Sequence, residues 1–195
     1  MKSAPRKIAL FGGTFDPIHL GHLEIAARAR DEMKLDEVVF LPCRRSPHKD
    51  TGPIASDRNR LVMLKAATSD LPWATVSDFE FHRPAPSYTW ETVEAFQNSL
   101  PVPTSLFLLI GLDQWEALPR WSHPHKIAAI VEFLVFGRDG NPQVRENYRA
   151  HFFKCDHPAS STIIRADLAA GRPAKWLPAA VENLILEKGF YLPIR

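Results

Sequence analysis

His19 and His22 stand three residues apart at the end of a stretch, Gly12-Gly13-Thr14-Phe15-Asp16-Pro17-Ile18-His19-Leu20-Gly21-His22, whose residue types suit a nucleotide phosphate. At helical spacing both imidazoles fall on one face. Each can donate a hydrogen bond there and, near neutral pH, carry part of a positive charge. Gly12 and Gly13 allow backbone angles that a Cβ would block, and backbone donors from Gly13 through Phe15 can cradle an anion. A second cluster, Ser160-Ser161-Thr162-Ile163-Ile164-Arg165, places hydroxyls and amides at a helix start with a guanidinium in the first turn. Arginine binds phosphate there in a planar fork that lysine cannot reproduce. Seen alone, a glycine pair is often only a turn and Ser-Ser-Thr only a helix cap. Two anion-binding patterns in one chain outweigh those plainer readings.

The elements needed to bring these patterns together are legible. Lys7 to Phe11 is a short apolar run bounded by breakers and reads as a buried strand, and Leu23, Ala26, Ala27 and Arg30 recur at helical spacing behind it. Glu37 to Leu41, closed by Pro42, is a second strand. Ser56 or Asp57 caps a helix with Leu61, Leu64 and Ala67 on its apolar side. Thr75 to Phe81 alternates like a strand, and Tyr88 to Phe96 reads as a helix with Val93 and Phe96 inward. Ser105 to Ile110 and Glu132 to Phe136 are further strands, with a helix around Lys126 to Val131 between them. A short helix from Ser160 or Ser161 ends near Gly171, and Pro178 opens a last helix that stops at Gly189. This alternation predicts an α/β fold with a doubly wound, mostly parallel sheet, in one domain spanning residues 1–195. Ligands of such sheets sit beyond the strand C-terminal ends, where His19, His48 and Asp113 all fall.

Composition narrows the function. Hydrophobic residues make up 45% and charged residues 24%, which are globular values. A net charge of +2 with only short, separated basic pieces gives no support for nucleic-acid binding. Cys43 and Cys155 lack metal or redox spacing and are expected to be free thiols, as in a reducing cytoplasm. No run approaches a membrane span and no signal sequence precedes the first strand, so a cytoplasmic location without membrane partners is expected.

Thr14-Phe15-Asp16-Pro17 followed by His19-x-Gly21-His22 resembles the first motif of the nucleotidyltransferase superfamily, and Ser160 to Arg165 its second. Ser46-Pro47-His48-Lys49, Pro86-Ser87-Tyr88-Thr89, Ile110-Gly111-Leu112-Asp113 and Leu118-Pro119-Arg120-Trp121 follow the order and approximate spacing of bacterial nicotinate-nucleotide adenylyltransferases. Leu177-Pro178 and Gly189-Phe190-Tyr191 extend the resemblance over essentially the full length. It implies a Rossmann-like nucleotidyltransferase fold and transfer of the adenylyl group of ATP to nicotinate mononucleotide in NAD biosynthesis. His19, His22 and Arg165 would be catalytic. Gly12, Gly13, Thr14, Phe15, Ser161 and Thr162 would hold ATP, with Mg2+ bridging its phosphates and no metal ligands from the protein. On the acceptor side, Trp121 can stack on a cationic pyridinium ring. Amides around Tyr88, Thr89 and Trp90 suit the nicotinate carboxylate, His48 and Lys49 add donors, and Asp113 suits ribose hydroxyls. Nicotinamide mononucleotide or phosphopantetheine as acceptor, a catalytically silent nucleotide sensor, and a homo-oligomeric state remain open at this point.

Overall fold

The computed structural model describes residues 4–46, 51–101, 103–137 and 142–192. Six strands form one sheet in the order β3-β2-β1-β4-β5-β6. They are β1 (Arg6–Gly13), β2 (Glu37–Pro42), β3 (Ala74–Val76), β4 (Thr104–Gly111), β5 (Glu132–Gly137) and β6 (Ala150–Lys154). All five neighbouring pairs are parallel, with Leu10 opposite both Val39 and Leu108 at the centre.

Strand side chains alternate faces, and the two faces carry two cores. Ala9, Phe11, Val38, Phe40, Phe107 and Leu109 point to one side, where they meet α1 (Leu20–Met33), α2 (Asp57–Thr68), α6 (Ser161–Ala169) and α7 (Ala179–Lys188). Ile8, Leu10, Val39, Leu106, Leu108 and Ile110 point to the other, against α3 (Thr89–Ser99), α4 (Leu112–Ala117) and α5 (Pro124–Ile130). Burial on both faces explains why these strands read as continuous apolar runs.

Local signals set the helix ends. Ser56 Oγ accepts from the Asn59 amide at 3.2 Å to cap α2, and Gly189 closes α7 with φ of 71°. One expectation, the strand over Thr75 to Phe81, needs correction. Only Ala74 to Val76 pairs with β2. After the Ser77 amide bonds the Phe40 carbonyl at 3.0 Å, the chain leaves the sheet and coils into a 3-10 turn, Phe79–His82. That turn buries Glu80 and packs Phe79 edge-on against Phe96, with centroids 5.7 Å apart. The short elements α4 and β6 were not anticipated. β6 is an edge strand whose pattern is interrupted by His151, and its pairing with β5 is a tertiary event. Neither Cys43 nor Cys155 is in a disulfide. No helix among the described residues is long and apolar enough to cross a membrane.

Candidate active site

The sheet order reverses between β1 and β4, and the connections from these two strands diverge to leave a crevice beyond their C-terminal ends. The crevice is a cleft of about 770 Å³ lined by the β1–α1 loop, the ends of β2 and β4, and the starts of α3 and α6. Gly12, Gly13, Thr14, Phe15, His22, Tyr88, Thr89, Asp113, Trp121, Ser161, Thr162 and Arg165 all line it. His19 and Trp90 do not reach its wall, and His48 and Lys49 lie outside the described residues.

In the β1–α1 loop the left-handed residue is Phe15, with φ of 48°, and neither Gly12 nor Gly13 has a positive φ. The expectation that both glycines serve unusual backbone angles is therefore corrected. Gly13 makes room: a Cβ there would lie 2.8 Å from Phe15 Cζ. The Phe15 ring, 2% exposed, packs edge-on against Phe11 at 5.4 Å and His22 at 5.0 Å. A Cβ on Gly12 would meet nothing within 4 Å, so this glycine leaves cleft space open for a ligand.

His19 is the N-cap of α1, and its ring stacks on that of His22 with centroids 3.7 Å apart. The His19 amide donates to Nδ1 of His22 at 3.3 Å. With Nδ1 accepting, a neutral His22 carries its proton on Nε2 and can donate into the cleft. His19 sits behind it, 7% exposed, and its Nδ1 has no well-aligned hydrogen-bond partner among the described residues. Burial lowers this imidazole from 6.5 to about 4, the charge of nearby His157 adds to the shift, and a contact with its own backbone opposes it. His19 is thus neutral near pH 7, a correction to the shared-charge expectation. Gly21 lets the helix start close against His157, since a Cβ there would lie 3.0 Å from the His157 Nδ1.

The second anion-binding pattern is bound to the first. Ser161 Oγ donates to the Pro17 carbonyl at 3.0 Å, and Arg165 Nη1 donates to the Asp16 carbonyl at 2.6 Å while lying 4.0 Å from the Asp16 carboxylate. Ser161 thus spends its hydroxyl proton on the loop, while Thr162 and Arg165 also line the cleft. Sequence reasoning missed the two residues that hold the loop most firmly. Asp16 accepts from the amides of Ile54 and Ala55 at 2.8 and 3.1 Å and from the Tyr191 hydroxyl at 2.6 Å. Burial and the Asp16 carboxylate push the Tyr191 phenol far up, so it stays a donor. Arg60, wholly buried, donates to the carbonyls of Thr14 at 2.8 Å and Cys43 at 2.7 Å and to Asp57 at 2.6 Å. Its only signal was its place one turn before Leu64 on the buried side of α2, which Met63 and Leu64 share.

Opposite these groups α3 begins without a side-chain cap, and Tyr88 and Thr89 at its start line the cleft. The Trp90 side chain instead packs outward, under Lys126 Nζ at 4.5 Å and beside the His123 ring at 4.9 Å. Trp90 is therefore no part of the cleft wall, contrary to its expected place beside the acceptor. Asp113 folds back over the end of β4, where a Cβ on Gly111 would come within 2.5 Å of its Oδ1. Glu80 also lines the cleft; burial raises its pKa, against hydrogen bonds from Thr92 and Ser87 and the charge of Arg83.

A doubly wound parallel sheet with an anion-binding loop at its switch point, lacking the Gly-Lys-Ser/Thr of a P-loop, defines a nucleotide-binding α/β protein of the nucleotidyltransferase kind. The chain belongs to the cytidylyltransferase-like family, whose profile matches residues 10–167. It is 38% identical over 197 residues to a protein of Methylacidiphilum infernorum named a probable nicotinate-nucleotide adenylyltransferase, covering 100% of this chain and 96% of that one. It is 39% identical over 188 residues to a protein of Shouchella clausii with the same name, covering 95% and 97%. Among solved structures, Plasmodium falciparum nicotinic acid mononucleotide adenylyltransferase complexed with NaAD superposes with a TM-score of 0.78 at 16% identity, covering 95% of this chain and 97% of that one. That likeness is one of fold.

Proposed function

We propose that the protein transfers the adenylyl group of ATP to nicotinate mononucleotide, giving nicotinate adenine dinucleotide and pyrophosphate. The observation that carries this reading is a single cleft faced at once by His22, Thr162 and Arg165 and by Tyr88, Thr89 and Trp121. One group suits a triphosphate. The other suits a carboxylated pyridinium ring: uncapped α3 amides for the carboxylate and the Trp121 indole for the ring. Asp113 lies between them at the end of β4, suited to ribose hydroxyls.

An oxygen of the acceptor phosphate attacks the α-phosphorus of ATP as the bond from that phosphorus to the bridging oxygen breaks, and the electron pair leaves with pyrophosphate. The attacking oxygen is already anionic, so no strong base is required, and positioning with charge stabilisation supplies the acceleration. His22 Nε2 and the loop amides meet the α and β phosphates. Neutral His19 supports the His22 ring from behind. Arg165 and Thr162 meet the leaving β and γ phosphates. The residues present make no metal cage: among the described residues no three His, Cys, Asp or Glu gather to hold an ion. Mg2+ arriving with ATP would supply charge neutralisation of its phosphates.

The test is pyrophosphate release by the purified protein with ATP and magnesium, compared across nicotinate mononucleotide, nicotinamide mononucleotide and phosphopantetheine. Rapid release with the nicotinate compound alone is expected. Preference for another acceptor refutes the acceptor assignment, and silence with all three refutes the transferase reading. Within the same assay, Trp121→Ala should chiefly raise KM for the mononucleotide.

A further inference from the structure

Glu80 is a carboxyl group 7% exposed at the cleft, and no step of the reaction above uses it. It comes from the 3-10 turn that follows β3, and it bonds a hydroxyl inside α3 while lying near another just before it. Thr92 Oγ1, one turn into the helix, donates to Glu80 Oε1 at 2.8 Å. Ser87, just before the helix, lies near the same carboxyl group, and its hydroxyl favours the charged form. Residues 88–90, which carry the unfilled first-turn amides, lie on the arc between those two fixed points. Tyr88 supplies no side-chain cap, and its carbonyl accepts from Glu91 and Thr92 at 3.1 and 3.4 Å, so the helical ladder begins beyond the amides in question. Ser87 is also tied to the segment after β2: its amide donates to the Arg45 carbonyl at 3.0 Å, and its Oγ accepts from the Arg44 amide at 3.2 Å.

We propose that Glu80 is a positioning residue that aims the α3 amides at the acceptor's carboxylate and so sets the preference for nicotinate over nicotinamide nucleotides. This rests on the proposed placement of the acceptor at α3. A buried carboxyl group that holds the Thr92 hydroxyl ties the first turn of α3 to the turn after β3, because a buried hydrogen bond is costly to leave unmade. Amides discriminate a carboxylate from a carboxamide only where they converge on both oxygens. An amide group offers one acceptor and turns N–H donors toward the same N–H groups. Loosening α3 by a few tenths of an ångström would therefore cost the carboxylate more than the carboxamide.

The experiment measures kcat and both KM values for Glu80→Ala, Glu80→Gln, Thr92→Val and Trp121→Ala, with nicotinate and nicotinamide mononucleotides. Glu80→Ala should raise KM for the nicotinate compound about tenfold, the cost of one buried hydrogen bond. The ratio of kcat/KM between the two acceptors should fall by a similar factor. ATP KM and kcat should stay within about twofold. Glu80→Gln, which still accepts a hydroxyl bond, should restore most of the loss. Thr92→Val, which keeps the shape and removes one donor, should show part of it and decides the matter if Glu80→Ala does not fold. An unchanged acceptor KM and ratio in Thr92→Val and Glu80→Ala, or a loss shared equally with ATP, overturns the proposal. If Trp121→Ala raises acceptor KM in those circumstances, only the role of Glu80 fails. If Trp121→Ala also leaves it unchanged, the acceptor placement fails with it.

Discussion

Protonation of His19 should cost the protein about 3 kcal/mol of stability. Burial lowers its pKa from 6.5 to about 4, and each unit corresponds to about 1.4 kcal/mol of difference between protonation states. In the native state the ring is 7% exposed, stacked on His22, and close to His157, so it resists charge. In the unfolded chain it titrates freely. Above pH 6.5 both states are neutral and the contribution to stability is complete. As pH falls below 6.5 the unfolded chain takes up a proton that the native state refuses, and the contribution is gone by about pH 4. His19→Asn keeps a polar cap and cannot titrate in this range. Urea unfolding of both proteins at pH 7.5 and pH 4 removes the losses they share. The wild type should lose about 3 kcal/mol more than the variant across that interval. An imidazole NMR titration placing the His19 pKa at 6 or above, or equal losses in the two proteins, would refute the reasoning.

Arg60→Ala should destabilise the fold by about 3 kcal/mol in chemical denaturation, because it strands the carbonyls of Thr14 and Cys43; Arg60→Lys should recover little, since an ammonium cannot span the same fork. His22→Ala should fold normally and lower kcat by at least about 100-fold, as loss of a transition-state donor does; a rate within a few-fold of wild type removes His22 from the mechanism. Gly111→Ala should push the Asp113 carboxylate aside, because the new Cβ falls 2.5 Å from Oδ1. Its melting temperature should hardly move, whereas substrate KM should rise several-fold, and an unchanged KM argues against any role for Asp113. Tyr191→Phe removes one donor from Asp16 and should cost about 1–2 kcal/mol in unfolding experiments.

The two anion-binding patterns, the strands around Leu10, Phe40 and Leu108, and the helix ends at Ser56 and Gly189 were legible in the sequence because each is a local matter. Apolar runs, caps and breakers act within a few residues. Their common location was legible too, since a strand followed by a helix places its turn at one edge of the sheet. The strand expected at Thr75 to Phe81 shortened because its partner, β2, accepts pairing only through Phe40. The glycine pair was assigned the right neighbourhood and the wrong reason: Phe15, not a glycine, takes the left-handed backbone, and Gly13 yields space to its ring.

By itself, the sequence determined the sheet, the loop proposed to hold phosphate and the chemistry of the groups gathered around it, since periodicity, capping and residue type are written along the chain. Tertiary structure alone decided which groups are spent in support and which are left for a ligand. Ser161 gives its proton to Pro17, the Trp90 side chain turns toward Lys126, and His19 loses its charge behind His22. Asp16 and Arg60 became the fastenings of the loop. Hydrogen-bond pairing between residues 17 to 175 positions apart, and the desolvation that shifts a pKa, depend on what packing brings together, and no local pattern specifies them.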